Sequence, residues 1–75
     1  MNKENVILGQ KYECHPVGLK RRVVGEVISK MENCVILCVE DFDGIDYDEI
    51  QEKAGKVIAK YSEIYGMKVA ECFFS

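Results

Sequence analysis

Alternation of apolar and polar positions dominates the first half of the chain. Over residues 6–14, Leu8, Tyr12 and Cys14 share one parity while Lys11 and Glu13 take the other, which predicts a first strand. His15-Pro16-Val17-Gly18 ends it, because Pro has no N–H for a ladder and Gly admits a turn. Residues 22–30 predict a second strand, rich in β-branched Val23, Val24, Val27 and Ile28. Gly25 in its middle marks a bulge or a sharp bend. After the connection Met31-Glu32-Asn33, residues 34–41 predict a third strand, close enough to the second to form a hairpin. Its apolar run is unbroken to Val39, so it is expected to be the central strand, buried on both faces.

The second half is less regular. Asp46 stands where it can N-cap a helix over residues 47–54, with Asp48 and Glu49 in the first turn, where the helix dipole favours anions. Beyond it two patterns compete. Tyr47, Ile50, Ala54, Val57, Ile58, Tyr61 and Ile64 keep helical spacing as far as Gly66. Gly55 interrupts that pattern, however, and residues 57–61 alternate as a strand. The preferred reading is a short helix, a turn at Gly55-Lys56 and a strand over residues 57–61. A last strand then covers residues 67–73, with Met67, Val69 and Phe73 on one face. This is a mainly β fold: five short strands closing into a small barrel, with the helix between strands three and four. Closure removes the exposed edges that a short chain must otherwise protect. The alternative is an α+β fold, a four-stranded sheet packed on one long helix in the C-terminal half.

Three segments carry a family resemblance. Leu8-Gly9-Gln10-Lys11-Tyr12-Glu13-Cys14 leads through a glycine into the first strand. Arg22-Val23-Val24-Gly25-Glu26-Val27-Ile28 looks like the Gly-x-Val core of a KOW strand. Cys34-Val35-Ile36-Leu37-Cys38-Val39-Glu40-Asp41 is an apolar strand ending in acids. Together, residues 8–64 resemble the SH3-like small barrels of the KOW and Tudor type, and some small bacterial and phage proteins look similar. The resemblance implies one SH3-like domain over residues 1–75 and, from its KOW side, a nucleic-acid or ribosome-associated role. The chain departs from the Tudor pattern: methyl-lysine recognition there uses an aromatic cage, whereas this chain has no Trp and scattered Tyr and Phe.

Composition narrows the function classes. A chain of 75 residues makes one thin core, burying roughly 60% of its unfolded surface, and leaves little room for a deep catalytic cleft. The polar start Met1-Asn2-Lys3-Glu4-Asn5 predicts no secretory leader. The longest apolar run, residues 34–39, is far short of the ~20 residues of a membrane helix. A cytoplasmic protein with reduced thiols, no membrane partner and no cofactor is therefore expected. Cys34 and Cys38 would lie about 13 Å apart on a strand. That is too far for two bonds of ~2.3 Å to one zinc, so Cys14, Cys34, Cys38 and Cys72 read as buried small hydrophobes and no metal is expected. His15 follows Cys14 on a strand, where neighbours point to opposite faces, so it reads as a turn histidine, not half of a dyad. With no paired catalytic groups, the chain reads as non-enzymatic.

An EF-hand frame starting at Asp41 puts Asp43 third and Glu52 twelfth, but Asp46 falls sixth, where Gly must make the turn. Cys72-Phe73-Phe74-Ser75 formally fits a prenylation box. Its aromatic centre, without a preceding polybasic segment, reads instead as the end of the last strand.

Charge supplies the candidate sites. Ten Lys and Arg against 13 Asp and Glu give a net charge of -3, and the charges are segregated. Asp41, Asp43, Asp46, Asp48, Glu49 and Glu52 read as an acidic segment that binds a basic protein partner. Lys20, Arg21 and Arg22, joined by Lys11 and Lys30, form the basic cluster of the alternative reading, a module binding nucleic acid through salt-sensitive phosphate contacts. The negative net charge favours the first. If the two clusters prove adjacent, they partly neutralise each other and both claims weaken. Phe74, outward if Phe73 points inward, is the candidate for self-association, so the chain reads as a monomer or a homodimer.

Overall fold

A computed structural model describes residues 1–67. Strands β1 (Lys11–Cys14), β2 (Val23–Lys30), β3 (Cys34–Asp41), β4 (Lys56–Lys60) and β5 (Ile64–Met67) form one sheet in the order β4-β3-β2-β1-β5. All neighbours are antiparallel. Helix α1 (Tyr47–Glu52) lies between β3 and β4. The fold is thus mainly β with one short helix, and the long-helix alternative fails; the expected closure into a barrel is not met either, because β4 and β5 end the strand order without a ladder between them among the described residues.

The helix stops two residues before its expected end because the backbone leaves helical space. Ala54 has φ 57° and Gly55 has φ 79°, and the Gly55 N–H returns to the Ile50 carbonyl at 2.9 Å. Glycine takes that left-handed conformation freely, whereas alanine is strained in it. β4 then alternates as a one-sided strand should: Val57 and Ala59 are buried, while Lys56, Ile58 and Lys60 face out. A 3-10 turn over Tyr61–Glu63 follows, its Tyr61 hydroxyl donating to the Met31 carbonyl at 2.7 Å. β5 therefore starts at Ile64, three residues before the expected last strand. Residues 68–73 of that strand, and Phe74, lie outside the described residues.

Three further expectations need correction. Regular pairing begins at Lys11, not at residue 6, and Leu8 is 58% exposed, away from the buried face of Tyr12 and Cys14. The Tyr12 hydroxyl explains why: it accepts the Ile7 N–H at 2.7 Å and reaches the Asn5 carbonyl, tying residues 5–7 to β1 through a side chain, not a ladder. β3 is not buried on both faces. Val35 and Leu37 are fully buried, but Cys34 and Ile36 are half-buried and Cys38 is exposed. It is β2 that stands central in the strand order.

The register of β2 shifts twice. The first shift falls at Gly25, as the sequence predicts. A Cβ there would sit 3.0 Å from the Cys38 carbonyl oxygen and 3.1 Å from the Leu37 Cβ, so β3 approaches closer than a side chain allows. The second, between Val27 and Ser29, carries Lys30 opposite buried Val35, and its ammonium donates to the Val6 carbonyl at 2.6 Å.

The core gathers Val6, Tyr12, Val23, Val27, Val35, Leu37, Val57 and Ile64 from the sheet and its approach, and Ile50 from α1. Asp46 is the buried charge beside it, 3% exposed. Its side chain does not cap α1. Instead, its two carboxylate oxygens accept the backbone N–H groups of Lys20 and Arg21, each at 2.9 Å. The capping carboxylate of this region is Asp43, which accepts the Ile45 N–H at 3.0 Å.

Asp46→Ala removes both bonds and leaves two amides without an acceptor. We expect urea denaturation to show a loss of about 2–4 kcal/mol, and a smaller loss for Asp46→Asn, which keeps one acceptor oxygen. A change below about 0.5 kcal/mol for Asp46→Ala would show that water replaces the carboxylate at little cost.

Candidate functional site

The Asp46 bonds bring the acidic and basic segments together. The loop from β1 to β2 carries Lys20, Arg21 and Arg22; the connection from β3 to α1 carries Phe42, Asp43 and Asp46. Their junction leaves a shallow open groove of about 340 Å³, lined by Glu13, Arg22, Val23, Val24, Asp41, Phe42 and Asp43. Arg22 is held within it. Its Nη1 lies 3.6 Å from the Glu13 Oε2, and its guanidinium sits 4.0 Å from the Tyr65 ring centroid. The cation is thus fixed by a carboxylate and by the negative face of an aromatic ring. Tyr65 in turn hydrogen-bonds Glu63, which raises its phenol above the usual range; burial adds in the same direction. Phe42 stacks with Tyr47, the ring centroids 6.3 Å apart.

The sequence-predicted acids do not share one environment. Asp41 and Asp43 line the groove. Asp46 is buried and bonded internally, so it presents no charge to a partner. Glu49 pairs with Lys53 at 3.7 Å along α1. Asp48 and Glu52 are exposed, and neither forms an ion pair among the described residues.

The five cations of the alternative reading are dispersed. Lys11 pairs with Glu40 at 2.9 Å, and this hydrogen-bonded contact raises its pKa. Lys30 is held by the Val6 carbonyl and Arg22 by Glu13 and Tyr65. Lys20 and Arg21 are exposed, and neither forms an ion pair among the described residues.

Glu13 and Phe42, which line the groove, and Tyr65, which holds its arginine, are residues that sequence patterns alone do not single out. The available signals are modest: Phe42 is flanked by Asp41 and Asp43, and Glu13 has the outward parity of its strand. Tyr65 joins only because β5 pairs with β1 beside Glu13.

Burial, with a smaller contribution from Glu13, pushes the Cys14 thiol up to about 12. The His15 Nε2 lies 2.9 Å from the Leu19 carbonyl oxygen, within the turn. Among the described residues no group of three or more His, Cys, Asp or Glu is placed to hold a metal ion. Nor is any helix among them long and apolar enough to cross a membrane. No protein-family model, curated protein or solved structure matches the chain.

The expectation of buried thiols holds for Cys14 and fails for Cys38, and the two should differ in reactivity. A maleimide pulse at pH 7.5, followed by peptide mapping, should label exposed Cys38 rapidly. Cys14, hardly ionised at that pH, should stay unlabelled until the protein unfolds. Equal labelling of both in the native protein would contradict the buried placement of Cys14.

Proposed function

We propose that the protein is a non-enzymatic binding module that seats a basic segment of a partner protein in the groove between Glu13 and Asp41–Asp43. The observation that carries this reading is the lining of the groove: three carboxylates against one guanidinium, beside an exposed aromatic ring. That surplus attracts a cation, and Phe42 offers it a flat, partly desolvated face. Arg22, held by Glu13 and Tyr65, is an internal example of the same chemistry.

On the fold, we read the sheet as SH3-like in its strand order, with β4 and β5 as its two edges. The 3-10 turn between β4 and β5 supports this. So do the Val17 N–H to Ile58 carbonyl bond at 2.8 Å and the His15 N–H to Glu63 carbonyl bond at 2.9 Å, which draw the first loop onto β4 and the turn before β5. A cytoplasmic location fits a partner of this kind.

Fluorescence anisotropy with a labelled Arg- and Lys-rich peptide tests the reading. Binding should weaken with salt. It should also fall about tenfold in Asp41→Asn plus Asp43→Asn, the loss of about 1.4 kcal/mol expected when two rim carboxylates are neutralised. Unchanged affinity in that variant would contradict the proposal. Tight binding of single-stranded RNA, lost in Arg21→Ala plus Arg22→Ala, would favour the nucleic-acid reading instead.

A further inference from the structure

A second charged surface lies on β4 and shares no residue with the groove. Lys56, Ile58 and Lys60 alternate outward there, and Ile58 is 46% exposed. Ile36 of β3 stands directly opposite Ile58 and widens its apolar centre. On the other side the Val17 N–H is bonded to the Ile58 carbonyl, which sets Val17, 56% exposed, beside the strand. Val17, Lys53, Lys56, Val57 and Ile58 line a shallow cavity of about 240 Å³. Lys53 is engaged by Glu49, but neither Lys56 nor Lys60 forms an ion pair among the described residues.

Lysines alone would guard an edge strand against wrong pairing. A guard has no use for the apolar cluster Ile36, Ile58 and Val17 between them. The pattern cation, apolar, cation along one strand face has a natural complement in another extended chain. Same-face residues of any strand recur every second position, so Lys56 and Lys60 stand about 13 Å apart at ~3.3 Å per residue. An extended segment with acids four positions apart and an apolar residue midway repeats at the same spacing.

We propose that the β4 face recognises an acidic, extended segment of a partner protein with the pattern acid-x-apolar-x-acid. The apolar residue rests on Ile58, Ile36 and Val17, and the acids pair with Lys56 and Lys60. Nucleic acid is the poorer fit, because no aromatic side chain is among these residues to stack a base, and the centre is aliphatic.

The test is a titration of the isotope-labelled full chain with the synthetic peptide Thr-Glu-Thr-Ile-Thr-Glu-Thr, followed by NMR. Saturable shifts should centre on Lys56, Ile58, Lys60 and Ile36. Lys56→Glu plus Lys60→Glu should weaken binding at least about tenfold, and so should Ile58→Ser, which leaves the charges in place. The isomer Thr-Glu-Thr-Ile-Glu-Thr-Thr, whose acids fall on opposite faces, should bind more weakly. Three results would overturn the proposal: no saturable shift up to about 1 mM peptide, equal binding of the two isomers, or tighter binding of a short oligothymidylate at the same residues. Because the groove is tested with a basic peptide, either surface can fail while the other stands.

Discussion

The organisation of this small protein turns on one buried carboxylate. Asp46 receives the N–H groups of Lys20 and Arg21 and so joins the loop after β1 to the connection after β3. Both segments are irregular and offer no ladder to each other. Backbone amides that point into a partly buried junction must find acceptors, and an ionised carboxylate can satisfy two at once. The desolvated charge is tolerable because both of its oxygens are bonded. The groove is the spatial consequence of that junction: Arg22 and Val23 are carried to one side of it, Asp41, Phe42 and Asp43 to the other.

This junction changes the meaning of the segregated charge. Acids and bases that look like rival binding segments in the sequence are physically adjacent, and part of the acidic segment serves the fold. Neutralisation is nonetheless incomplete. Asp46 bonds to main chain, so the Lys20 and Arg21 side chains keep their charge, and Arg22 turns to Glu13 and Tyr65. Asp41 and Asp43 are left facing the groove. Adjacency weakens a reading based on bulk charge and favours one based on a few placed groups.

Much of the fold is legible in the sequence because short-range physics writes it there. The hairpin of β2 and β3, the bulge at Gly25 and the turn at Gly55 follow from β-branched runs and from glycine where a side chain or a right-handed backbone does not fit. Sequence and structure part where a distant partner decides. Residues 6–10 read as the start of the first strand, but the Tyr12 hydroxyl captures the Ile7 amide. β3 is apolar on both faces, yet burial on both needs a second layer, which one strand's sequence cannot report. Asp46 has the composition of an N-cap, and no local pattern reveals that amides 25 and 26 positions away compete for it. The groove is half legible: Asp41 and Asp43 are visible as acids, whereas the two groups that hold its Arg22, Glu13 and Tyr65, are brought together by the pairing of β1 with β5.

The most direct test of the Asp46 junction is amide hydrogen exchange at Lys20 and Arg21, read residue by residue in the unmodified protein and in Asp46→Asn. The account predicts that both amides exchange slowly despite lying in a loop, and that the substitution speeds them at least about tenfold while the β2 amides change less. Exchange of both amides at the rate of an unprotected loop in the unmodified protein would contradict it.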